Sequence, residues 1–186
     1  NPAKARFAYS SPYYQLVHLA SLAGIARALS EDLAQRVRER TRTYSHANAE
    51  RSAQDPQVLQ VVGRVHGAAY AANAIVQQAA RALEQAWQSS QVRTLDAAQR
   101  EQANVLAHVE VDQAVPVVTQ LVLDASTQLF DALGASAALR PAGLDRYWRN
   151  ARTIASHNPR VYRERQAGDY AVNRTPPPTY YRVGTA

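Results

Sequence analysis

Imidazoles and thiols, the side chains that most readily do acid–base, nucleophilic or metal chemistry near neutral pH, are few in this chain of 186 residues. There are five histidines (His18, His46, His66, His108 and His157) and no cysteine, which removes thiolate catalysis, disulfides and Cys-ligated metal. No His pair has HExxH spacing, and His108-Val109-Glu110 has no matching Glu-x-x-His segment to complete a di-iron bundle site. A metal centre is therefore not expected. GxSxG, GxGxxG and P-loop patterns are also missing. His157 stands apart, because it lies between a helical pattern and Asn158-Pro159, where the chain must turn sharply. An imidazole at such a junction can hold or donate a proton near neutral pH. The competing reading is a surface turn histidine.

The formal charge is +6, and Lys4 is the only lysine, so the positive charge is almost all arginine. The arginines alternate with Asp and Glu along helical stretches, and no basic-aromatic block occurs, so nucleic acid is not the expected partner. A guanidinium fork also suits phosphate, since it donates two hydrogen bonds at once. A phosphorylated cofactor accounts for the arginines as well as a polynucleotide does. Gly134-Ala135-Ser136-Ala137 forms a small-residue corner where backbone could approach a ligand, or else an ordinary helix end.

The elements that must position these groups read as helices. Gly is scarce, Pro lies mostly at the two ends, and Ala, Gln, Leu, Arg and Glu crowd the middle. Residues 1–10 read as an irregular lead-in. Ser10-Ser11-Pro12 signals a helix start, and Leu22, Ile25, Leu29, Leu33 and Val37 then make one apolar face to about Arg40. Arg36, Arg38, Arg40 and Arg42 gather at the negative end of that helix dipole. After a polar loop over 43–54, Asp55-Pro56 restarts a helix whose stripe runs from Val58 to Trp87. Gln88 to Arg93 reads as a break, with Thr94 as the cap of a third helix. Val105, Val109, Leu121, Ala125, Leu129 and Leu133 are expected to face inward there. Pro116 should kink that helix and Gly134 end it. A shorter helix over Leu144 to Ser156, a last one from Pro159 to about Tyr170, and an extended Pro-rich tail over 174–186 complete the chain. These elements predict an all-α fold, an antiparallel four-helix bundle over 11–173 with a short extra C-terminal helix.

No run is apolar and long enough for a membrane span, Asn1-Pro2-Ala3-Lys4 does not read as a signal peptide, and the lack of Cys suits the cytoplasm. With no Met at all, the expectation is a piece of a longer protein.

The stretch from Leu144-Asp145-Arg146-Tyr147-Trp148 through Ala155-Ser156-His157-Asn158-Pro159, continuing to Gly168-Asp169-Tyr170-Ala171-Val172-Asn173, resembles the C-terminal signature of the flavin-dependent monooxygenase branch of the acyl-CoA dehydrogenase superfamily. That branch includes monooxygenases of the dibenzothiophene and dimethyl-sulfone type. Weaker likeness covers Leu22 to Ala26, the Arg42 to Pro56 loop and Phe130 to Ala135. The resemblance implies the last of three parts, a helical bundle that follows an N-terminal helical domain and a β-barrel. It also implies packing into homotetramers, with the flavin between barrel and bundle.

By the same resemblance, Arg42 corresponds to an arginine on the flavin phosphate, and His157 to the active-site histidine that assists a flavin C4a-hydroperoxide. Asn158 stands where a relative has Asp near the flavin, and Ser136 where a relative has a second phosphate arginine. The implied cofactor is reduced FMN from a separate flavin reductase, and the implied substrate a small organic molecule, with organosulfur compounds among the candidates. Tyr9, Tyr13 and Tyr14 are candidates to line its pocket or to pack the helix entry. An FAD-dependent acyl-CoA dehydrogenase is the alternative. Its usual catalytic Glu is missing, since Ala155-Ser156-His157-Asn158 offers no carboxylate before Glu164. A third reading is an assembly module that is inactive by itself.

Overall fold

The computed structural model describes residues 9–179. They form α1 (Ser10–Glu39), α2 (Pro56–Gln91), α3 (Ala97–Leu133), α4 (Asp145–Ala155) and α5 (Val161–Asn173), with 3-10 turns at Ser52–Gln54, Ala135–Ala138 and Arg140–Ala142. No strand occurs among the described residues, and the fold is all-α as the composition predicts. Of the expected lead-in and tail, residues 1–8 and 180–186 lie outside the described residues; 174–178 carry no helix. No described helix is long and apolar enough to cross a membrane.

The helix ends follow local chemistry. α2 is capped by Asp55, whose Oδ1 accepts from Gln57 N at 2.8 Å and whose Oδ2 accepts from Asn48 N at 3.0 Å. Burial pushes this carboxyl up, but the backbone N–H donors outweigh it and hold the group below the usual range. α3 is capped by Asp96 rather than Thr94. Asp96 Oδ1 accepts from Gln99 N at 2.8 Å while Gln99 Oε1 accepts from Asp96 N at 3.0 Å, a reciprocal capping box. α3 runs unbroken through Pro116. It ends at Gly134, whose φ of +70° is a conformation that favours glycine.

Along α2 the buried positions Val65, Ala69, Ala72, Val76, Ala79, Leu83 and Ala86 alternate in steps of four and three, the seam of closely packed helices. The stripe therefore ends on Ala86, not on Trp87, which is 46% exposed. In α3, Val105, Val109, Ala125, Leu129 and Leu133 are buried as expected, whereas Leu121 is only half-buried and the fully buried Val118 and Val122 fill the face at that level.

The chain divides into two compact units. One comprises Ser21–Asn73 and Val118–His157. It joins the C-terminal half of α1, the N-terminal half of α2, the C-terminal half of α3 and α4, the combination that antiparallel neighbours must give. Its core includes Leu29, Leu33 and Val37 of α1, Val65 of α2, Leu129 and Leu133 of α3, and Leu144 and Tyr147. The other unit comprises Ala74–Val117 with the chain up to Ala20 and from Asn158 onward. Its interior is more polar, holding Gln15, His108, Asp112, Arg163 and Gln166 beside Leu83, Val105 and Val111.

Candidate functional site

Where α1 ends, the chain passes through Arg40, Thr41, Arg42 and Thr43, and these residues line an open cleft of about 530 Å³ with Tyr44 and Ser136. Arg42 and Ser136, two of the sequence-predicted site residues, thus come from different segments to one surface. Arg42 is exposed, and its guanidinium makes no hydrogen bond or ion pair among the described residues. Only its carbonyl is engaged, accepting from Arg40 Nε at 3.0 Å and Ser52 Oγ at 3.3 Å. The side chain keeps its full set of donors for an anion. Glu39 is the one carboxylate lining the cleft, and its Oε1 accepts from Gln35 Nε2 at 2.9 Å.

The opposite lip is the turn Ala135–Ala138, which carries Ser136 and is exposed apart from Ala137. Arg40 reaches it by donating from Nη1 to Leu133 O, one of the last-turn carbonyls of α3. A cation here also opposes the negative end of the α3 dipole. A second, smaller cleft of about 250 Å³ shares Glu39, Arg40 and Ser136 with the first and is closed by Arg36, Ala142 and Leu144.

α4 is tied to α1 through Asp32. Its Oδ1 accepts from Arg36 Nε at 2.7 Å, and its Oδ2 accepts from Arg146 Nη2 at 3.0 Å and Tyr147 Oη at 3.1 Å. Arg146 also stacks over the Tyr147 ring at 4.3 Å. Burial raises the Asp32 carboxyl, but the hydrogen bonds from Arg36, Tyr147 and Arg146 outweigh it and hold the group below its ordinary value. Burial first, then the Asp32 carboxylate, pushes the Tyr147 phenol up. This anchor fixes the start of the helix whose far end leads to His157.

His157 lies two residues beyond α4, exposed, with its N–H donating to Ile154 O at 3.1 Å. Asn158 follows it and is half-buried. Neither lines the cleft that holds Arg42 and Ser136. Tyr13 and Tyr14 are 52% and 65% exposed on the first turn of α1 and meet edge to face at 6.0 Å.

Two arrangements escaped the sequence. In the sequence Arg40 is one of several dipole-facing arginines, whereas in the structure it links the two lips of the cleft. Asp112 and Arg163 form a buried ion pair at 2.7 Å. It has no clear signal in the sequence, since Asp112 stands with Glu110 and Gln113 among the valines of residues 109–118.

Comparison with known proteins matches residues 16–160 to the family model described as acyl-CoA dehydrogenase, C-terminal domain. The chain is 29% identical over 175 residues to the dibenzothiophene monooxygenase of Mycolicibacterium goodii, covering 94% of this chain and 41% of that protein. It is 31% identical over 182 residues to a probable FMNH2-dependent monooxygenase, SfnC, of Pseudomonas putida, covering 97% and 45%. Among solved structures, methanesulfinate monooxygenase MsuC of Pseudomonas fluorescens superposes with a TM-score of 0.78 at 28% identity, over 97% of this chain and 45% of that one. TdsC of Paenibacillus sp. A11-2, in a complex with FMN and indole, gives 0.77 at 31% identity, over 92% and 43%. The chain spans less than half the length of each of these relatives.

Proposed function

This chain belongs to the acyl-CoA dehydrogenase C-terminal domain family, and on that footing we propose that it is the C-terminal helical part of an FMN-dependent monooxygenase. Names among its relatives support that branch over a dehydrogenase: dibenzothiophene monooxygenase, FMNH2-dependent monooxygenase and methanesulfinate monooxygenase. The substrate class is a small organic molecule, with organosulfur compounds the class those names favour. A separate flavin reductase supplies the reduced cofactor in the cytoplasm, and the whole protein assembles as a homotetramer.

The observation that carries the proposal is the cleft at the end of α1. The uncommitted guanidinium of Arg42 stands there among residues with hydroxyl side chains, Thr41, Thr43 and Ser136. That donor set fits the FMN phosphate: one fork for two oxygens and hydroxyls for the remainder. The loss of a second arginine at Ser136 is compatible with this, because a hydroxyl also donates to phosphate, though it brings no charge. Reduced FMN, when bound, supplies the electrons with which dioxygen delivers one oxygen atom to substrate and the other to water. His157 holds or donates a proton at its imidazole beside the reacting centre, and Asn158 orients the same turn. The 186-residue chain alone binds flavin weakly and turns over nothing, since the remaining flavin contacts come from the rest of the protein.

The test is to supply the whole protein with reductase-generated FMNH2, oxygen and a small sulfide or sulfinate, and to analyse the product by mass spectrometry. Gain of one oxygen atom from labelled dioxygen is the expected result. Failure to oxygenate any such compound, together with bleaching of bound FAD by an acyl-CoA, would overturn the reading in favour of a dehydrogenase.

A further inference from the structure

We propose that Arg40 is a positioning residue that sets the anion cleft by clamping its two lips, an inference that rests on the phosphate reading of that cleft. Its Nε donates to Arg42 O at 3.0 Å, and its Nη1 donates to Leu133 O. The guanidinium lies against Gly134, where its Nη2 is 3.7 Å from the position a Cβ would take. One planar group thus spans the backbone that presents Arg42 and the backbone that leads, three residues on, to Ser136.

Three features make this a clamp rather than a ligand contact. First, two N–H groups of Arg40 are committed to carbonyls, while Arg42 has none committed. Second, Arg40 is half-buried and Arg42 exposed, so the committed group sits inside and the uncommitted one outside. Third, the Arg42 carbonyl is held from two sides, by Arg40 Nε and Ser52 Oγ. This fixes the backbone from which the Arg42 side chain projects. A lysine at position 40 would keep the charge, but a single ammonium lacks the rigid fork that spans both carbonyls.

The consequence is that Arg40 acts on phosphate through Arg42. The experiment measures binding of FMN and of riboflavin, which lacks the phosphate, to the whole protein by flavin fluorescence. The variants are Arg42→Ala, Arg40→Ala, Arg40→Lys and the Arg40→Ala/Arg42→Ala double variant, with Arg40→Gln as a milder substitute should Arg40→Ala fail to fold. Arg42→Ala should weaken FMN about tenfold or more and leave riboflavin unchanged. Arg40→Ala, or Arg40→Gln in its place, should lose a comparable factor for FMN alone, Arg40→Lys should not restore it, and the double variant should bind no worse than Arg42→Ala. Additive losses would mean that Arg40 contacts the ligand independently, and full rescue by Lys would mean that only charge matters; either overturns the clamp while leaving the phosphate site standing. An Arg42→Ala protein that binds FMN like the wild type would overturn the phosphate reading and the clamp together.

Discussion

Arg163 Nη1 lies 2.7 Å from Asp112 Oδ1, and the two side chains are 5% and 1% exposed. The pair joins α5 to α3 by a charge-assisted hydrogen bond with almost no solvent screening. Asp112 Oδ2 accepts no hydrogen bond among the described residues. Pro116, four residues on, has no N–H to give the Asp112 carbonyl. The carboxylate therefore depends heavily on one arginine. Arg163→Met should destabilise the protein by about 3–5 kcal/mol, because it leaves a buried charge without its partner. Adding Asp112→Leu should recover most of that loss, since the charge goes too. Urea unfolding of both variants measures this, and a double variant as unstable as the single one would contradict it.

The same carboxyl carries a pH signature. Burial pushes Asp112 from 3.8 up to about 6, against the opposing pull of Arg163. A group whose folded pKa is raised binds its proton more tightly when folded. Its contribution therefore favours the folded state as pH falls through 6 toward 3.8, and is lost as pH rises through 6. Asp32 has the opposite sign: its carboxyl is lowered, so its contribution is present above the ordinary carboxylate range and lost in acid. Replacing Asp112 by Asn should remove the decline in stability that this group adds as pH rises from about 4 to about 6. Replacing Asp32 by Asn should flatten the acid limb below about pH 4. Thermal melts across pH 3–8 separate the two, and an unchanged profile in Asp112→Asn would reject the raised value.

Much of the fold was legible because helix starts and stops are written locally. Ser10, Asp55-Pro56 and Gly134 mark ends that the structure places within a residue or so. The misses have a common origin. The hydroxyl of Thr94 suggests a cap after the break, but the reciprocal bond needs Gln three residues on, and Asp96 with Gln99 has it. A step of four from Leu83 points to Trp87, but the alternation of four and three along the buried face requires a step of three there and selects Ala86. The Asp112–Arg163 pair and the Arg40 clamp join segments 51 and 93 residues apart. No local spacing reports such contacts. Resemblance could point to Arg42, Ser136 and His157, but not to what holds them.

Tyr147 tests the anchor of α4. It is 8% exposed and donates to Asp32 Oδ2 at 3.1 Å. Tyr147→Phe keeps the ring and removes that donor, so it should cost about 1–2 kcal/mol. Tyr147→Ala should cost about 3–5 kcal/mol through lost packing. Denaturant midpoints at constant slope measure both, and a Phe variant as stable as the wild type would mean that Arg36 and Arg146 alone suffice for Asp32.

The capping box at α3 predicts a contrast between neighbours. Asp96→Ala should cost about 1 kcal/mol, since it orphans the Gln99 N–H. Thr94→Ala should change nothing measurable. Hydrogen exchange at residues 97–100 should quicken in the first variant only, and equal protection in both would place the helix start elsewhere.

Arg42 and His157 should fail in different ways, because they lie on separate segments and only Arg42 lines the cleft at the end of α1. Arg42→Ala should raise the FMN dissociation constant and leave turnover of the saturated protein near normal. His157→Ala should leave FMN binding intact, because the side chain is exposed and does not line the cleft that holds Arg42. Its turnover should fall by about 10²–10⁴, the range for loss of a positioned proton donor. Part of the reduced flavin should then be reoxidised without product, which appears as hydrogen peroxide released per FMNH2 consumed. Measuring FMN affinity, saturated turnover and that ratio in both variants gives each residue its own pattern. If His157→Ala weakens FMN binding and leaves saturated turnover unchanged, His157 is a cofactor contact and the proton belongs to another group.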